Sequence, residues 1–110
     1  MTNLFDFINL PKKGEELFEE VFSNEHMKIE KILSNELNNG KWYNQDDDEL
    51  VLLIRGNATI EYEDTKKDLI AGDFEYIKSK TKHRVLKTSD DALWLAIHIK
   101  EEMFTCTQTF

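Results

Sequence analysis

The chain has 110 residues, enough for one domain with one modest core and too few for two. Its net charge of −8 repels a phosphate backbone, so nucleic acid is not an expected partner. Wholly apolar runs such as Leu50–Ile54 are far short of the roughly 20 residues that span a bilayer. Met1–Leu10 lacks the basic, apolar and small-residue order of a signal peptide, and a single cysteine, Cys106, excludes an intrachain disulfide. A cytoplasmic protein with no membrane partner is the expectation.

The apolar start Leu4-Phe5-Asp6-Phe7-Ile8 stops at Pro11. Beyond it Leu17, Phe18, Val21 and Phe22 recur at helical spacing, with Glu15, Glu16, Glu19 and Glu20 on the other face, which predicts a short amphipathic helix over residues 12–22. His26 follows Ser23-Asn24-Glu25 in what reads as an exposed loop. From Met27 the pattern changes to strands and tight turns. Met27–Leu33 is β-like, and Lys41–Gln45 is a short extended piece after the Asn38-Asn39-Gly40 turn. Leu50–Ile54 is a continuous apolar strand that ends at Arg55-Gly56-Asn57; Ala58, Ile60 and Tyr62 then alternate with Thr59, Glu61 and Glu63. Further strands are predicted at 67–70, 74–78, 83–87 and 92–100, about eight in all. So many short strands, with almost no helix, point to a sandwich or closed barrel, with a jelly roll as the natural candidate. The single domain divides into an N-terminal extension (1–26), a core barrel (27–100) and a tail (101–110). In the tail, threonines fall at every second position from Thr105 to Thr109, and a frayed end and a pairing edge strand fit equally well.

Three groups of residues invite chemical readings. Asp46-Asp47-Asp48 lacks the spaced oxygens and glycine of an EF-hand, so it reads as a solvated loop at the barrel mouth. Cys106 has no partner at metal spacing. Glu49, followed after six residues by Gly56, and Gly72-Asp73, followed by His83 eleven residues after the glycine, form the third group. That arrangement over residues 41–87 resembles the two motifs of the cupins, and Leu69-Ile70-Ala71-Gly72-Asp73-Phe74 is similar to the opening of the second motif. Both histidines of the first motif are missing, because no histidine lies between His26 and His83. Their places hold Tyr43 and Gln45, or Trp42 and Asn44, and Lys78 and Lys80 replace the proline and glycine of the second motif. Trp42-Tyr43-Asn44-Gln45 resembles the Trp-Tyr-Asx-Gln signature of a subgroup of small single-domain cupins with a degenerate metal site.

The resemblance implies an all-β fold, the double-stranded β-helix or cupin jelly-roll barrel, here preceded by the short helix. It also implies a pocket holding Glu49 and His83 together, and a homodimer. One reading places a divalent transition metal (zinc, iron or manganese) on Glu49 and His83, helped by Gln45 and Tyr43, beside a small organic ligand among Trp42, Leu53, Tyr76 and Val85. The other is a metal-free barrel that binds a small molecule or a partner subunit, with Glu49 and His83 as a hydrogen-bonded pair. His98, in a strand apolar on both faces, either faces the pocket or is a satisfied core residue.

Overall fold

Strand pairing begins earlier in the chain than the spacing of apolar residues predicts. A computed structural model, which describes residues 3–100, contains eight strands in two antiparallel sheets and no α-helix among those residues. They are β1 (Glu15–Ser23), β2 (Met27–Asn35), β3 (Asp48–Arg55), β4 (Asn57–Tyr62), β5 (Lys66–Ile70), β6 (Phe74–Ile77), β7 (His83–Thr88) and β8 (Ala92–Ile99). One sheet has the order β1-β2-β8-β3-β6 and the other the order β5-β4-β7. The jelly-roll expectation holds.

The helix expected over residues 12–22 is instead β1, an edge strand paired with β2 from Glu15↔Asn35 to Ser23↔Lys28. The register shifts between Glu20 and Phe22. Before the shift Leu17 and Glu19 share a face with Leu33 and Lys31; after it Phe22 sits opposite Ile29, on that same face. One extra residue in the strand therefore brings positions 17 and 22 to one side, and a bulged strand acquires the apolar spacing of a helix. The extended piece expected at Lys41–Gln45 is reduced to one bridge, Tyr43↔His83. The edge strand considered for the tail, and the dimer contact resting on it, lie outside the described residues.

Alternate residues of each strand point between the sheets. Ile32, Val51, Leu53, Trp94 and Ala96 from the larger sheet meet Ala58, Ile60 and Leu69 from the smaller one, and all are buried. The outer face of β2 is covered as well. Lys31, 1% exposed, donates from its ammonium to the carbonyl of Asp6, lies 3.8 Å from a Glu19 carboxylate oxygen, and sits 4.9 Å from the Phe7 ring centre. Arg55 approaches the same ring at 5.3 Å. The N-terminal segment is thus held against the sheet by two cations on one aromatic ring. No helix among the described residues is long and apolar enough to cross a membrane.

Gly56 and Gly72, the two motif glycines, both adopt left-handed backbone, with φ of +87° and +97°. They differ in surroundings. A Cβ at Gly56 would lie 2.4 Å from the Ser89 hydroxyl oxygen, whereas one at Gly72 meets nothing within 4 Å. Gly72→Ala is therefore expected to cost about 1–2 kcal/mol from the backbone alone. Gly56→Ala is expected to cost clearly more, because the turn must also open. Urea unfolding of the two variants checks the ranking, and equal losses would contradict it.

Candidate functional site

The registers of β2, β8 and β3 set a row of polar side chains across the inner face of the larger sheet. Lys28 on β2 is opposite His98 on β8, His98 is opposite Glu49 on β3, and Glu49 is opposite Ile77 on β6. Glu30, two residues beyond Lys28, shares its face. From the smaller sheet β7 contributes His83 and Val85, and β4 contributes Ile60. Together these residues enclose one end of a cavity of about 250 Å³, also lined by Glu16, Phe18, Ile32, Tyr43, Val51, Ile77 and Trp94. Apolar side chains make its walls, and acids and bases alternate at its mouth.

The polar groups form a chain of contacts. Lys28 Nζ is 3.8 Å from Glu30 Oε2, and Glu30 Oε1 accepts a hydrogen bond from His98 Nε2 at 3.0 Å. His98 Nε2 is also 4.0 Å from Glu49 Oε2, while Glu49 Oε1 is 3.6 Å from His83 Nε2 and accepts from Gln45 Nε2 at 3.0 Å. His83 Nδ1 donates to the Thr81 carbonyl oxygen at 2.7 Å, which fixes the ring with Nε2 toward Glu49. Glu49 and His83 are both buried, at 9% and 6% exposure. Burial alone pushes the Glu49 carboxyl up, but His83, His98 and the Gln45 amide together hold it below the ordinary glutamate value. Burial likewise pushes His83 down, and Glu49 with the Thr81 carbonyl more than offsets it, so the imidazole stays protonated to a higher pH than usual. Glu16 behaves in the opposite sense. Desolvation raises its pKa, only partly offset by the Ser34 hydroxyl, which donates to Glu16 Oε2 at 2.7 Å and accepts from Trp94 Nε1 at 3.3 Å.

Of the residues picked out from the sequence, Glu49, His83, Gln45 and Tyr43 are brought together. Tyr43 is bonded to His83 through both backbone groups, at 2.7 and 3.0 Å, and its ring centre lies 6.1 Å from that of His83. Val85 and His98 line the cavity. Trp42, Leu53 and Tyr76 do not line it. Trp42 flanks Tyr43 on the outside, under Lys82 at 5.1 Å and Arg84 at 4.6 Å. Leu53 is fully buried in the core among the residues around Trp94. Tyr76 is opposite Leu50, one residue out of phase with the inward Ile77, and its hydroxyl donates to Asp48 Oδ2 at 2.6 Å. Asp48 also accepts from the Ser79 backbone, so one member of the acidic run caps a turn. Lys28, Glu30 and Glu16 are functional candidates that sequence reasoning passed over. The first two were legible as polar residues alternating with Met27 and Ile29, but that period assigns them to solvent.

The donor set does not fit a metal held as the resemblance implies. Among the described residues no three His, Cys, Asp or Glu side chains converge as ligands. His98 Nε2 carries a proton toward Glu30, Gln45 presents its amide N–H rather than its oxygen to Glu49, and burial with three nearby carboxylates raises the Tyr43 phenol away from ionisation. Glu49 and His83 alone remain, two ligands where a catalytic transition-metal site uses three.

The buried pair has a pH signature. The Glu49 contribution to stability is present above the ordinary glutamate value near 4.5 and is lost as pH falls through its lowered pKa. The His83 contribution is full below the ordinary histidine value near 6.5 and is lost as pH rises through its raised one. Melting temperature is therefore expected to decline above neutrality in the wild type, and less so in a Glu49→Gln, His83→Gln double variant. His83→Leu alone leaves buried Glu49 without its nearer basic partner, with only His98 at 4.0 Å, and is expected to cost roughly 3 kcal/mol at neutral pH by urea unfolding.

No protein-family model matches the chain, and no curated protein matches it either. Solved structures do. A candidate mannose-6-phosphate isomerase from Ralstonia eutropha JMP134 is 30% identical with a TM-score of 0.81, over 91% of this chain and 97% of that one. A cupin superfamily protein from Desulfitobacterium hafniense DCB-2 is 18% identical with a TM-score of 0.70, over 83% of each chain. KdgF from Halomonas sp. is 16% identical with a TM-score of 0.74, over 94% of this chain and 97% of that one.

Proposed function

The chain belongs to the cupins, and from that premise we propose that it binds a small organic molecule in the barrel without a metal, using the acid–base row at the cavity mouth as its polar recognition element. The observation that carries this reading is the open-mouthed cavity itself, in which Glu49 and His83 form a buried pair beside apolar walls. Concave, mainly apolar sites with a few convergent polar groups are the usual form of small-molecule sites. At about 250 Å³ the cavity is smaller than the roughly 300–1,000 Å³ of drug-sized sites, so the ligand is smaller than a drug-sized molecule.

The name of the Ralstonia relative points to a sugar phosphate. The lining of this cavity argues against one here. It contains three carboxylates against one lysine and two histidines, and each of those three bases already faces a carboxylate. A phosphate dianion would have to displace an existing ion pair to gain a cation and would leave a carboxylate unpaired beside it.

Two measurements test the reading. Ligand-observed NMR with fragments of a few heavy atoms, spanning neutral, cationic and anionic classes, is expected to give hits that vanish in Val85→Phe, which fills the cavity. No hits in any class, or hits unchanged by Val85→Phe, would overturn it. Protein incubated with zinc, iron(II) or manganese and then desalted is expected to retain far less than one equivalent, with the same melting temperature in EDTA. A stoichiometric metal lost in a Glu49→Ala, His83→Ala variant would restore the metal reading.

A further inference from the structure

Three carboxylates line the cavity, and two already have basic neighbours. Glu30 contacts Lys28 and His98; Glu49 contacts His83 and, at 4.0 Å, His98. Glu16 has none among the described residues: its hydrogen-bond partner is the neutral hydroxyl of Ser34. Three aromatic side chains line the same cavity. Phe18, two residues on and on the same face of β1, lines the cavity with Tyr43 and Trp94, and Trp94 reaches Glu16 through Ser34. A desolvated carboxylate beside aromatic rings is the environment in which an organic ammonium ion is favoured over both a neutral and an anionic analogue, because ring quadrupole and carboxylate act on the same charge.

Building on the small-molecule reading above, we propose that the cavity selects a small alkylammonium compound, with its ammonium group against Glu16 beside Phe18, Tyr43 and Trp94 and its alkyl chain against Ile60 and Val85. The raised pKa of Glu16 accords with this, since a carboxyl that lacks a cation in the free protein gains one from the ligand. The net charge of −8 works in the same direction, drawing cations toward the barrel and holding anions off.

The side chain of Trp94 supplies the readout. Its indole N–H lies 3.3 Å from Ser34 Oγ, whereas Trp42 sits outside the cavity under Lys82 and Arg84 and serves as the internal control. In 15N-labelled full-length protein at pH 7.5 and constant ionic strength, n-butylammonium is expected to move the Trp94 indole resonance saturably and leave that of Trp42 in place. n-Butanol is expected to bind at least tenfold more weakly, and butyrate not at all. Glu16→Gln keeps the shape of the side chain and is expected to weaken n-butylammonium roughly tenfold or more, the scale of one charge-assisted contact. Val85→Phe is expected to abolish the shift and provides a second variant independent of Glu16. Binding of n-butanol or butyrate as tight as that of n-butylammonium, or binding unaffected by Glu16→Gln, would overturn the proposal while leaving a small-molecule cavity intact. Absence of binding by every fragment class would overturn the underlying reading as well.

Discussion

Strand β8 is paired on one side with β2 and on the other with β3, and the registers of these two ladders decide what lies inside the barrel. They set Trp94 between Ile32 and Leu53, so the largest buried side chain fills the floor. Four residues along they set His98 between Lys28 and Glu49, so the same inward face becomes polar at its mouth. Side chains alternate with a period of two, and a slip of one residue in either ladder would exchange this whole set with the outer face. The cavity is therefore a consequence of register before it is a consequence of any single residue.

Placing acids and bases inside an apolar barrel costs desolvation energy that must be met by partners. The row meets it by alternation: Lys28, Glu30, His98, Glu49 and His83 each have an opposite charge or a hydrogen-bond partner next in line. Satisfaction of this kind uses up lone pairs. Nitrogen and oxygen atoms of the pair with the spacing of a metal motif are here hydrogen-bonded or ion-paired to one another. Glu16 stands outside the alternation, and its desolvated carboxyl gives the cavity an asymmetric charge.

The larger sheet carries apolar side chains outside as well as inside, and the N-terminal segment covers part of that outer face. Phe7 between Lys31 and Arg55 ties the segment to two strands. Lys31 is consequently more buried than most of the core, although it belongs to the face that a two-layer scheme would give to solvent. This inversion explains how Lys28 and Glu30 escape a reading based on polarity. On β2 both faces are covered, and alternation alone cannot say which one is the interior.

The sequence by itself determined the class of fold and most of the strands from Met27 onward, through period-two alternation and turns with glycine. That Glu49 and His83 share a pocket followed from the resemblance to the two cupin motifs, since the residues lie 34 positions apart on different sheets. Tertiary structure alone decided three things. The bulge in β1 turned an apparent helix into an edge strand, because helical spacing and a strand with one inserted residue place the same apolar positions together. The ladders on either side of β8 brought Glu30, His98 and Lys28 to the row that Glu49 occupies, contacts between residues up to 68 positions apart. The phase of β6 set Tyr76 outside and Ile77 inside. Faces and partners of this kind depend on which strands meet and in what register, and no window of sequence contains both sides of that pairing.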